Sequence, residues 1–271
     1  MNENIRPPAV AGMFYTGEPE LLASEIAVML AQARPVEAAQ FVPKALIVPH
    51  AGHIYSGPIA ASAYALLAPA AKTIRRVVMF GPAHRVAVEG LALPAAESFA
   101  TPLGLVSLDL DAMRAAQALP QVSVSAAAHA TEHSLEVQLP FLQGVLDEFS
   151  LVPFVVGHTR GHEVAEVIDL LWGGPETLIV ISSDLSHYLP YASAREKDQA
   201  TTASILRLAP LTEFEQACGA LPINGLIEVA QQRGLTPTLL DLRNSGDTAG
   251  DRARVVGYAS FAFQEHGHVV H

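Results

Sequence analysis

Three times in this chain an uncharged apolar run stops abruptly at a turn that carries a histidine. Ala45-Leu46-Ile47-Val48 runs into Pro49-His50-Ala51-Gly52-His53, and Val77-Val78-Met79-Phe80 runs into Gly81-Pro82-Ala83-His84. Thr177-Leu178-Ile179-Val180-Ile181 runs into Ser182-Ser183-Asp184-Leu185-Ser186-His187-Tyr188. A run without polar alternation fits a strand covered on both faces, as in a parallel sheet packed under helices. In open sheets of that kind ligands bind beyond the carboxyl ends of the strands. If the three strands are parallel neighbours, the three imidazoles converge.

The rest of the chain alternates between the two periods. Leu21, Leu22, Ile26, Met29 and Leu30 give Glu18 to Arg34 helical spacing, with Pro19 in the first turn. Gly57-Pro58 opens a second helix that Pro69 stops, and Asp109-Leu110-Asp111 starts a third with an acidic first turn. Leu91 to Gly104 is rich in turn residues and predicts short strands or a hairpin; Val122-Ser123-Val124 is a further short strand. Glu132 to Phe149 reads as the best-defined helix, with Leu135, Leu139, Leu142 and Leu146 on one face and a kink at Pro140. Leu151 to Val156 is a strand, followed by helices over His162 to Leu171, Arg195 to Leu208, Leu211 to Ala217 and Pro222 to Arg233. Gly234 caps the last of these. Thr238-Leu239-Leu240 and Val255 to Phe263 close the sheet on either side of a polar loop. Residues 1–15, broken by Pro7 and Pro8, are expected to form an ordered arm, and residues 264–271 a flexible tail. The pattern predicts one α/β domain over residues 1–271, with a central, mostly parallel sheet flanked by helices.

Charge narrows the function classes. The 271 residues carry a formal net charge of -11 and only 16% are charged. A non-specific nucleic-acid binder needs a basic footprint, and none is visible. The same balance argues against anionic membrane surfaces. The lone Cys218 excludes an internal disulfide and fits a reducing compartment. Met1 to Arg6 lacks the apolar core of a signal peptide, and no apolar stretch reaches the 18 or so residues of a membrane span. A cytoplasmic protein is expected.

The strand-end residues admit two readings each. His50 and His84 are metal ligands or hydrogen-bonded strand-end histidines; their pairing on two strands favours ligation, because neutral imidazole is the commonest metal ligand. Cys218 is a small buried hydrophobe or a thiolate suited to iron, zinc or copper. Asp184 and His187, three apart, face one direction if the turn is helical; they are a ligand, a general base and its orienting partner, or an N-cap and a surface histidine. Glu132, His133 and Glu136 open the long helix, where acids often serve only its dipole. His129, His158 and His162 are expected at the surface, Gly246-Asp247 and Gly250-Asp251 as turns. The C-terminal histidines carry little weight.

Five segments taken together resemble the Memo family, whose bacterial and archaeal members are called AmmeMemoRadiSam system protein B. They are Ile5 to Tyr15, Val48 to Gly57, Gly81-Pro82-Ala83-His84, Glu132 to Pro140 and Ser182 to Tyr188, in the family's order. The resemblance implies the fold of class III extradiol dioxygenases. It implies His50, His84 and Cys218 as metal ligands and Asp184 and His187 as catalytic residues. His133, Glu132, His53 and Tyr55 are then expected against substrate. His53 stands where the family usually has tyrosine, and Ala83 where it has serine. Iron(II) is the metal expected, with copper or zinc as alternatives. The implied activity is a dioxygenase-like oxidoreductase acting on a small molecule. The alternatives are a non-catalytic iron- or copper-binding or partner-binding protein, or a peptide- or phospho-ligand module with a vestigial site. The family name also implies a functional link to a radical SAM protein.

Overall fold

The computed structural model describes residues 4–33 and 41–265. Residues 1–3 of the expected arm, Arg34 of the expected first helix and residues 266–271 of the expected tail lie outside the described residues. The arm contributes β1 (Ile5–Arg6). Helix α1 (Pro19–Gln32) follows, its proline at a position with no intrahelical N–H bond to lose. Strand β2 (Ala45–Val48) is buried at every residue. Helix α2 (His53–Tyr64) begins four residues before the Gly57-Pro58 start expected from sequence, and Pro58 lies inside it. The carbonyl that Pro58 leaves unpaired belongs to Ile54, which is exposed to water. The chain continues through β3 (Arg76–Pro82), β4 (Leu91–Leu93), β5 (Ser98–Thr101) and β6 (Gly104–Ser107).

Asp109 caps α3 (Leu110–Ala116) by accepting the Ala112 N–H, and β7 (Val122–Val124) and the short α4 (Ala126–Ala130) follow. The long helix expected from Glu132 to Phe149 does not form. Glu132 and His133 lie in a loop, Glu136–Gln138 makes a single 3-10 turn, and only α5 (Leu139–Val145) is α-helical. Pro140 starts that helix instead of kinking it, because its missing N–H is costless only in a first turn. Next come β8 (Ser150–Val156), α6 (Gly161–Leu170), β9 (Thr177–Ser182) and β10 (His187–Leu189). Helix α7 (Tyr191–Leu206) begins before Arg195, and the helix expected at Leu211 to Ala217 shrinks to a 3-10 turn at Phe214–Gln216. Helix α8 (Ala220–Arg233) ends on Gly234, whose φ of 68° is the left-handed conformation that glycine adopts without strain. Strands β11 (Thr236–Asn244) and β12 (Val255–Gln264) finish the chain; Gln264 closes a strand and is not tail.

Among the described residues, nine strands form the main sheet. Its centre is parallel: β9 lies between β2 and β3, and β8 pairs with the far side of β3. The flanks are antiparallel, β12 on β2, β11 on β12 and β4 on β8. The three histidine-ended runs are therefore adjacent and point the same way. The expected hairpin is β5–β6, which with β1 makes a small separate sheet. No helix among the described residues is long and apolar enough to cross a membrane.

Two charged or polar residues read as local features turn out to hold the arm. Glu136 is not a dipole partner but a fully buried carboxylate that receives Arg6 Nη1 at 2.6 Å, the N–H groups of Ala9 and Val10 at 2.8 and 3.0 Å, and the Tyr15 hydroxyl at 2.7 Å. His129, expected at the surface, is buried: its Nε2 contacts the Ala92 carbonyl at 2.8 Å, and its own carbonyl accepts from Arg6 Nε.

Asp198 accepts the Ser186 N–H at 3.0 Å, and Gly257 exchanges bonds with Leu185 and Ser186. A Cβ on Gly257 would lie 2.0 Å from Asp198 Oδ2. Gly257→Ala is therefore expected to push Asp198 away and cost about 1–3 kcal/mol. An unchanged urea midpoint would contradict this packing.

Candidate metal centre

The turns after β2, β9 and β3 meet at one point. The backbone N–H of His50 donates to Asp184 Oδ1 at 2.7 Å, which ties the turn after β2 to the turn after β9. His84, after β3, directs its N–H and its Nδ1 at Glu132, at 2.7 and 2.9 Å. Glu132 is buried and also accepts the N–H groups of His133 and Ser134 at 2.9 and 3.0 Å. One carboxylate thus arranges two histidines that are distant in sequence.

Ligand nitrogens of His50, His84 and His133 lie within 4.8 Å of one another. Their ring centroids are 5.2 Å (His50–His84), 5.5 Å (His50–His133) and 4.7 Å (His84–His133) apart. His50 Nδ1 faces Ser182 Oγ at 2.9 Å and His84 Nδ1 faces Glu132, so Nε2 is the nitrogen each has left to offer, that of His50 lying beside the Cys218 thiol. That arrangement, in which one ring nitrogen is anchored and the other offered, is how proteins orient metal-binding histidines.

Electrostatics suit the same role. Burial pushes the His50 imidazole well below its ordinary pKa and His133 down to about 4, so both are neutral with a lone pair to give. Burial alone would raise Glu132, but the hydrogen bond and charge of His84 outweigh it and hold the carboxylate at about 2. Three imidazoles backed by an anion fit a divalent first-row cation such as iron, copper or zinc.

Cys218, expected as the third ligand, stands beside this trio. Its Sγ is 3.2 Å from His50 Nε2, and burial pushes the thiol up to about 12, with Asp184 adding in the same direction. His133, expected against substrate, is the third member of the trio. Asp184 is buried; burial raises it to about 7 although the N–H groups of His50 and Ala51 pull the other way. No helical turn forms between Asp184 and His187, residues 183–186 being irregular and β10 beginning at His187, and Asp184 makes no hydrogen bond to His187 among the described residues. Asp184 braces the His50 turn instead.

A cavity of about 850 Å³ opens over the cluster and is lined by His50, His84, His133, Asp184, His187 and Tyr55. Arg85, Arg254, Tyr188, Tyr258 and Phe14 complete the parts of its wall that bear on binding. Neither Arg85 nor Arg254 pairs with a carboxylate among the described residues, and Arg254 lies over the Tyr188 ring at 5.3 Å. Glu132 and His53, both expected against substrate, do not line this cavity. Glu132 lies behind His84 and His133. His53 bonds the Val137 carbonyl at 2.8 Å and borders a second cavity, of about 530 Å³, between the arm and α1. Sequence reasoning missed Ser182 and Gln138 behind His50, and the two arginines at the mouth. Nothing local marks them, since each acts on a residue far along the chain.

The Memo-like protein family model matches residues 6–262. A MEMO1 family protein of Aquifex aeolicus is 37% identical over 272 residues, covering 96% of this chain and 99% of the relative. One from Sulfolobus acidocaldarius is 34% identical over 283 residues, with 96% and 99% covered. The crystal structure of uncharacterized protein JW3007 from Escherichia coli K12 superimposes with a TM-score of 0.52 over 80% of this chain and 98% of its own, at 14% identity, a likeness of fold alone. With the match running from Arg6 to Ala262 and relatives aligned nearly end to end, the chain belongs to the Memo-like protein family.

Proposed function

We propose that this protein is a metal-dependent oxidoreductase acting on a small molecule in the cavity over His50, His84 and His133. The convergence of three imidazoles at the floor of an open cavity carries the reading. Iron(II) is the metal favoured, held by His50 and His84 with His133 or Cys218 as third donor; when bound it would supply Lewis-acid and one-electron chemistry. Tyr55, Tyr188 and Tyr258 offer flat walls for an aromatic ring, and the unpaired Arg85 and Arg254 favour an anionic substituent on it. His187, on the same wall, is held below its ordinary pKa by burial, so near neutral pH it is free to accept a proton from a substrate hydroxyl.

Metal content after anaerobic purification without a histidine tag tests the reading. His50→Ala and His84→Ala are each expected to lose metal, with affinity falling at least about 10–100-fold. Comparing His133→Ala with Cys218→Ser identifies the third donor. Oxygen uptake with catechols, lost in His187→Ala while metal is retained, would support the oxidoreductase. Stoichiometric metal without turnover would favour a metal carrier, and a native chain that takes up no iron, copper or zinc would sink both.

A further inference from the structure

We infer that Ser182, held by Gln138, is a positioning residue that fixes His50 as its Nδ1–H tautomer and so leaves the lone pair on Nε2, the nitrogen beside the Cys218 thiol, to be offered to a metal; its metal-binding consequence rests on the reading above. Ser182 ends β9 and is fully buried. Its hydroxyl has one proton to give and two lone pairs to share. The proton goes to the Ser134 carbonyl at 2.5 Å, a group that can only accept. Gln138 Nε2 donates to Ser182 Oγ at 2.9 Å. The orientation of that amide is fixed separately: the same nitrogen donates to the Pro49 carbonyl at 2.8 Å, and the Tyr64 hydroxyl donates to Oε1 at 2.9 Å.

One lone pair therefore remains on Ser182 Oγ, and His50 Nδ1 stands 2.9 Å from it. The contact is a hydrogen bond only if Nδ1 carries the proton. In the other tautomer two lone pairs would face each other between side chains that water does not reach, an uncompensated buried acceptor. His84 is locked the same way by Glu132. His133 is not: its Nδ1 is 3.3 Å from Glu132 Oε1 without hydrogen-bond geometry and is left without a hydrogen-bond partner. The fold thus presets His50 and His84 and leaves His133 adjustable.

Metal-free protein carrying heavy-nitrogen histidine reports each ring's tautomer through its two-bond proton–nitrogen couplings, with His50 identified by the signals lost in His50→Gln. Nδ1–H is expected for His50 in the native chain and in Ser182→Thr, and a mixture or the Nε2–H form in Ser182→Ala. Cobalt(II) affinity, read from visible absorption, should fall about 10–100-fold in Ser182→Ala and recover in Ser182→Thr. An Nε2–H His50 in the native chain overturns the inference, and so does a Ser182→Ala variant that keeps both Nδ1–H and full cobalt affinity. If Ser182→Ala does not fold, the native spectrum decides. A native chain that shows Nδ1–H yet binds no metal leaves the tautomer assignment standing and removes the metal reading instead.

Discussion

Replacing Glu136 with alanine is expected to cost about 3–5 kcal/mol of stability and to release the N-terminal arm. The change strands a buried guanidinium, that of Arg6, and removes the acceptor of two backbone N–H groups and of the Tyr15 hydroxyl. A buried charge without its partner is penalised far more than the pair was worth. Glu136→Gln should lose less, because one amide oxygen still accepts. The arm carries Phe14, whose ring lies 4.6 Å from that of His133. Metal affinity should therefore weaken along with stability. Urea unfolding and proteolysis at Gly12 to Gly17 check the prediction. A loss below about 1 kcal/mol with the arm still protected would refute the anchoring role.

Acid should destabilise the metal-stripped protein well above the range in which carboxylates titrate. Burial is the chief cause that lowers both His53 and His129 to about 4. Above their ordinary value of 6.5 both states are neutral, and these groups give no pH dependence. As pH falls below 6.5 the unfolded chain takes up protons that the fold refuses, so stability is lost progressively down to about pH 4. Each shift corresponds to about 3 kcal/mol at its limit. His133 acts in the same direction. Asp184 opposes them: raised to about 7, it keeps a proton in the fold that the unfolded chain lacks until near 3.8, and so offsets roughly one histidine. The expected curve is nearly flat at pH 7–8 and falls steeply between pH 6 and 4.5, with a shallower fall in His129→Gln. A flat curve through pH 5 would mean these imidazoles are not buried neutral.

What the sequence showed and what it hid follow from the range of the interactions. The strands ending at His50, His84 and Asp184 were legible because burial on both faces leaves an uninterrupted apolar run. Their adjacency needed only the parallel topology. The stretch from Glu132 to Phe149 was misread because its leucines keep helical spacing while its polar residues answer to distant partners. Glu136 serves Arg6, 130 residues away, and Gln138 serves Tyr64 and Ser182. Such pairs leave no local period. His129 was read as a surface residue because an alanine-rich neighbourhood does not announce a buried carbonyl. Cys218 was open to two readings from the sequence, and only the family resemblance chose the ligand, because its loop gives no spacing signal of its own.

The position of β2 bears on how the chain is made. This strand, synthesised early, is sandwiched between β9 and β12, and β12 is completed only about 200 residues later. At a ribosomal rate of roughly 5–20 residues per second, the Ala45–Val48 run waits on the order of 10–40 s for its last neighbour. During that interval one edge of the strand has no sheet partner. His50 cannot meet Cys218, 168 positions downstream, until the chain through that residue has been made. The contact is thus a late one, formed after the segments that carry His84 and His133 have been made.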